Sequence, residues 1–166
     1  MNIRRITRMA LLTAIALTIF VAEAQLPAPV PIYGVKLGLA NIVTVWAVFL
    51  LGPADAAMIL LARVVLGSLI TGQMMALMYS LGGGLLCLCA MIPLRKVLTD
   101  RQIWVCSVAG AVFHNIGQIL VAIAITRTPS LVVYLPVLLV SGVITGLFTG
   151  LCAQFLHERM RKLLRL

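Results

Sequence analysis

Residues 132–156 read VVYLPVLLVSGVITGLFTGLCAQFL, twenty-five positions without a charge, and Arg159, Arg161, Lys162 and Arg165 follow at once. A helix needs about 20 apolar residues to cross the hydrocarbon of a bilayer. This stretch therefore reads as a membrane span with a cationic anchor at one end. Outward from it the same pattern recurs along the chain. Of 166 residues, 63% are hydrophobic and only 10% are charged, where a soluble domain carries about 25% charged residues. Mean hydropathy is +1.16. The expected fold is an all-α integral membrane domain over residues 1–166, a bundle of about six transmembrane helices.

Five further spans precede the first one described. They cover about residues 7–25, 34–51, 54–71, 74–94 and 103–125. Pro27, Pro29 and Pro31 close the first, because proline cannot continue a helix. Gly52-Pro53 separates the second from the third across a short link. Arg4, Arg5 and Arg8 precede the first span, and a small-residue site near Ala22 and Ala24 imitates a signal peptide. Glu23 sits where cleavage would occur and further spans follow, so the segment reads as a retained helix.

The net charge of +9 comes from 13 Lys and Arg against 4 Asp and Glu. Nucleic acid is excluded as the partner by where these charges lie. Arg4, Arg5 and Arg8, then Arg95, Lys96 and Arg101, then Arg159, Arg161, Lys162 and Arg165 all flank spans on one face when six spans alternate. Only Arg127 flanks the other face. The positive-inside rule then puts both termini in the cytoplasm, with the chain in the cytoplasmic (inner) membrane.

Polar groups within spans need a reason, since charge at membrane depth is costly and usually faces a cavity or partner. Lys36 opens the second span, and snorkelling to the interface is its simplest role. Arg63 lies mid-span. Asp55 is eight residues away, too far for contact along one helix, so a partner on another helix or a bound anion is expected. His114 and Gln118 share a helix face, with Asn115 beside them. Asn41 is similar, and Tyr79 and Tyr134 fall near outer span ends. Interhelical hydrogen bonds and interfacial tyrosines are the bland alternatives. Taken by depth, Lys36, Asn41, Tyr79, Gln118 and Tyr134, with Arg63 and His114 near the midplane, describe a pocket open to the outside with a cationic floor, and Asn115 joins them as a candidate binding residue. Lys36 and Arg63 would neutralise an anionic group there.

Small residues four apart mark close helix packing: Ala10 and Ala14, Gly34 and Gly38, and Gly142, Gly146 and Gly150. Cys87, Cys89, Cys106 and Cys152 lie in apolar runs and read as buried thiols, without a metal site or disulfide framework. No phosphate-binding glycine loop with Lys-Ser/Thr occurs. No Asp-rich cluster for magnesium, paired carboxylate or nucleophile triad occurs either. No cofactor is implied, and catalysis by this chain alone is not expected.

The run Gly34-Val35-Lys36-Leu37-Gly38-Leu39-Ala40-Asn41-Ile42-Val43-Thr44 resembles the signature of a bacterial membrane family, called both heptaprenyl diphosphate synthase component I and the Gx transporter family. Arg63 with Leu66-Gly67, Tyr79-Ser80-Leu81 with Gly82-Gly83-Gly84, His114-Asn115 with Gly117-Gln118, and Tyr134-Leu135-Pro136 agree in order. The resemblance covers about residues 5 to 155. That family is similar to the substrate-binding S components of energy-coupling factor (ECF) transporters. The resemblance implies six helices, substrate capture from outside, and docking through an Ala-x-x-x-Ala face, matched by Ala10 and Ala14. The implied partners are an ECF transmembrane subunit with its ATPases. The synthase name implies instead a soluble prenyl diphosphate synthase as partner, with this chain as its non-catalytic component. Without Asp-rich motifs, the residues themselves favour transport of a small, anionic or isoprenoid-related substrate. A structural membrane protein with no ligand is the third alternative.

Overall fold

The computed structural model describes residues 3–26, 36 and 38–164. Pro27, Pro29, Pro31, Gly34, Val35, Leu37 and Arg165, and the side chains of Arg161 and Lys162, lie outside the described residues. Six α-helices follow in order: α1 (Ile3–Glu23), α2 (Asn41–Leu50), α3 (Pro53–Thr71), α4 (Met74–Val97), α5 (Ile103–Thr126) and α6 (Leu135–Leu164). Short 3-10 turns, Asp100–Gln102 and Pro129–Tyr134, lead into α5 and α6. No strand occurs among the described residues.

All of these helices except α2 are long and apolar enough to cross a membrane, so the chain is a multi-pass membrane protein. The second expected span is shorter than its apolar run suggests. Only ten residues are helical in α2, about 15 Å of rise. Gly38 explains where it begins: its φ of 81° is left-handed, which breaks a helix. At the far end, Gly52 turns the chain with φ 104° and Pro53 starts α3, a position that suits the missing proline N–H.

Contacts at one end fix the directions of the helices. The Arg5 guanidinium donates to both Asp55 oxygens, with Nε 2.9 Å from Oδ2. Arg95 donates to the Phe49 carbonyl at 3.3 Å, and His157 Nε2 lies 3.7 Å from Asp100 Oδ2. The start of α1, the α2–α3 junction, the end of α4, the start of α5 and the end of α6 therefore meet. Basic residues of all three sequence clusters gather at this basic end.

Helix α5 packs along both α4 and α6, and small residues set how closely. A Cβ on Gly117 would lie 2.7 Å from the Gly82 carbonyl of α4. A Cβ on Gly146 or Gly150 would lie 2.8 Å or 2.6 Å from the Cα of Val108 or Trp104 of α5. The small-residue stripe of α6 thus has its partner inside the chain. Helix α1 buries one stripe, Leu12, Ala16, Phe20 and Glu23, chiefly against α3. Of the cysteines, Cys87 and Cys106 are buried, whereas Cys152 is partly covered and Cys89 faces outward; all four are free. The expectation of four buried thiols is corrected for these two, whose helix faces point away from the core.

Candidate functional site

A small cavity sits inside the bundle, away from the basic end. Phe20, Glu23, Lys36, Gly38, Arg63, Ser80 and His114 line it, drawn from α1, α3, α4, α5 and the chain before α2. It has room for about one water molecule.

The backbone accounts for much of this geometry. Glu23 ends the buried stripe of α1 and accepts a hydrogen bond from the Gly38 amide. Gly38 is required twice over. Its left-handed φ strains any residue with a side chain, and a Cβ there would meet Asn41 Nδ2 at 2.9 Å and the His114 ring at 3.2 Å. Gly83 of α4 makes room for the same imidazole: a Cβ would lie 2.9 Å from His114 Nδ1.

The polar groups are deeply buried. Lys36 is 7% exposed, Glu23 5%, His114 3% and Arg63 2%. Arg63 donates through a terminal nitrogen to Asn41 Oδ1 at 2.6 Å, so its partner is on another helix, as the Asp55 spacing required. Asp55 belongs to Arg5 instead. The Lys36 ammonium stands 3.7 Å from the centroid of the Phe20 ring, a cation–π arrangement. Beyond these contacts, Lys36 Nζ and Arg63 Nε have no hydrogen-bond partner among the described residues. Buried donors left unmatched cost about 1–3 kcal/mol each, more when charged.

Of the eight residues expected from the sequence, Lys36, Arg63 and His114 line the cavity and Asn41 braces it. The other four lie elsewhere. Tyr79 is buried against Ile119, Ala122 and Leu138, with Tyr134 packed alongside. Asn115 donates to the Leu138 carbonyl and ties α5 to α6. Gln118 is fully buried with neither amide atom bonded among the described residues. Ala10 and Ala14 are exposed on α1, on the side opposite its buried stripe.

Glu23, Phe20 and Ser80 are the lining residues that sequence reading passed over. Glu23 carried a usable signal: it is a carboxylate at the end of an otherwise uncharged run, and charge within a span marks function by default. Among the described residues no group of His, Cys, Asp or Glu is arranged to hold a metal ion.

A family model described as heptaprenyl diphosphate synthase component I matches residues 12–156. The chain belongs to the heptaprenyl diphosphate synthase component I family. The match takes in α2 to α5 whole and most of α1 and α6, and includes all seven residues of the cavity. No curated protein and no solved structure matches the chain. Membership in the component I family agrees with an accessory subunit that has no catalysis of its own.

Proposed function

We propose that this chain is the membrane-embedded, non-catalytic component of a heptaprenyl diphosphate synthase, seating a soluble prenyl diphosphate synthase against the bilayer. The family match over residues 12–156 carries the reading, together with a body of five helices long and apolar enough to cross a membrane. Prenyl transfer makes a product with an apolar tail and an anionic head, and a membrane-bound seat places that tail where it partitions. The basic end supplies a docking face. Arg8, Lys96, Arg101 and Arg159 are exposed there, and such a face suits an acidic partner surface or anionic lipid heads. With that end in the cytoplasm, the chain lies in the inner membrane and both termini meet the soluble partner.

A second reading is favoured by one observation, the charged cavity within the bundle. A substrate-binding transport component would use such a cavity, and would dock through the exposed Ala10–Ala14 side of α1 on an ECF transmembrane subunit with its ATPases.

Affinity purification of the tagged chain from its own membranes, in mild detergent, separates the two. Mass spectrometry of the co-purifying chains is expected to find a soluble prenyl diphosphate synthase, released as salt rises. Recovery of a transmembrane subunit with ATPases in its place would overturn the accessory-subunit reading in favour of transport.

A further inference from the structure

Lys36, Arg63 and Glu23 are all more than nine-tenths buried and all line one cavity, whereas Asp55, as deeply buried, is paired with Arg5 at the basic end. The Glu23 carboxylate is engaged by the Gly38 amide. The Arg63 guanidinium spends one terminal nitrogen on Asn41. That leaves Lys36 Nζ and Arg63 Nε as donors with no acceptor among the described residues. With Lys36, Arg63 and Glu23 ionised and His114 neutral, the two cations among the lining residues face one carboxylate and one net positive charge remains. An uncompensated charge in a low-dielectric interior is strongly unfavourable and calls for a counter-charge of equal size.

We propose that the cavity binds a singly charged anion, which inserts one oxygen against Lys36 and Arg63. The size of the cavity sets the first limit, since it takes about one water-sized atom group. The charge count sets the second. A monoanion neutralises the site, whereas a diphosphate brings more negative charge than one net cation offsets. Gly38 contributes by its bare Cα, which keeps the space beside Asn41 and His114 open. The head is therefore a carboxylate or a phosphodiester, and a diphosphate is rejected. A soluble carboxylate and an anionic lipid both carry such a head. The inference rests on neither partner reading, because the charge balance is the same whichever chain docks.

The test uses the full-length protein. In detergent at constant ionic strength, in mildly alkaline buffer where inorganic phosphate is mainly the dianion, thermal unfolding is followed against butyrate, inorganic phosphate and pyrophosphate. In parallel, nanodiscs of phosphatidylcholine are compared with and without phosphatidylglycerol. A saturable rise in Tm is expected with butyrate or with phosphatidylglycerol, and the arm that responds identifies the source. Pyrophosphate is expected to give none. Lys36→Met should weaken the response about tenfold or more, as loss of a charged donor does. Glu23→Gln keeps an acceptor for the Gly38 amide and adds one net positive charge, so it should shift preference toward phosphate by about tenfold. Should Lys36→Met fail to fold, the Glu23→Gln shift decides alone. Strongest binding by pyrophosphate, an unchanged preference in Glu23→Gln, or no saturable monoanion effect in either arm would overturn the proposal.

Discussion

The bundle holds two kinds of buried polar group. Along the α5–α6 seam, Asn115 donates to the Leu138 carbonyl and Ser107 bonds Thr149 at 3.0 Å. Around the cavity, Lys36 and Arg63 present donors that nothing in the described chain accepts. Seam and cavity share the same apolar surroundings, so burial alone does not separate them. What separates them is whether the side-chain donors find acceptors within the bundle: those of the seam do, although Asn115 Oδ1 accepts no bond among the described residues. Closed pairs hold helices together. Open donors cost stability, and those of Lys36 and Arg63 are the ones the proposed anion would engage. Replacing a seam residue should therefore unfold the protein more readily, and replacing an open donor should not.

The largest stability effect is expected from Asn115→Ala. It leaves the Leu138 carbonyl without its donor and opens space beside Gly142, whose added Cβ would touch the Asn115 amide nitrogen. The expected loss is about 1–3 kcal/mol, read as a lower unfolding midpoint in detergent. An unchanged midpoint would remove Asn115 from the seam and break the contrast with the cavity. Ser107→Ala should cost less. Thr149 keeps its bond to the Thr145 carbonyl at 2.8 Å, and hydrogen bonds between membrane helices average about 0.6 kcal/mol. The same unfolding assay resolves the two if they are run side by side.

The seam was legible in the sequence and the cavity only half so. Glycines at 142, 146 and 150 announced a close helix contact, because their spacing alone puts them on one face. The charge clusters announced a shared basic end, because flanking charge follows chain order. Lys36 and Arg63 could be picked out as charges at depth. What sequence spacing could not supply was helix rotation. Tyr79 and Asn115 lie at the right depth, yet their faces turn toward the α5–α6 side instead of the cavity. Helix α2 was overextended for a related reason. Hydropathy sees an apolar run through Gly38, while the left-handed backbone at that glycine delays the start of the helix to Asn41.

Gln118 belongs to neither kind cleanly, and so it sharpens the comparison most. It is fully buried, four residues from His114 on the same helix, and neither amide atom has a partner among the described residues. It is also absent from the cavity lining. If an open polar group matters only where it faces the cavity, Gln118 is a pure expense. Gln118→Leu keeps the volume and removes the unmet groups, a change that is nearly neutral or stabilising when no bond is lost. The expected shift in stability is within about 0.5 kcal/mol of zero or favourable, with the butyrate response unchanged. A fall in stability like that of Asn115→Ala would place Gln118 among the closed seam contacts. Loss of the anion response with stability intact would extend the site along α5 past His114, to the depth where sequence reading first placed it.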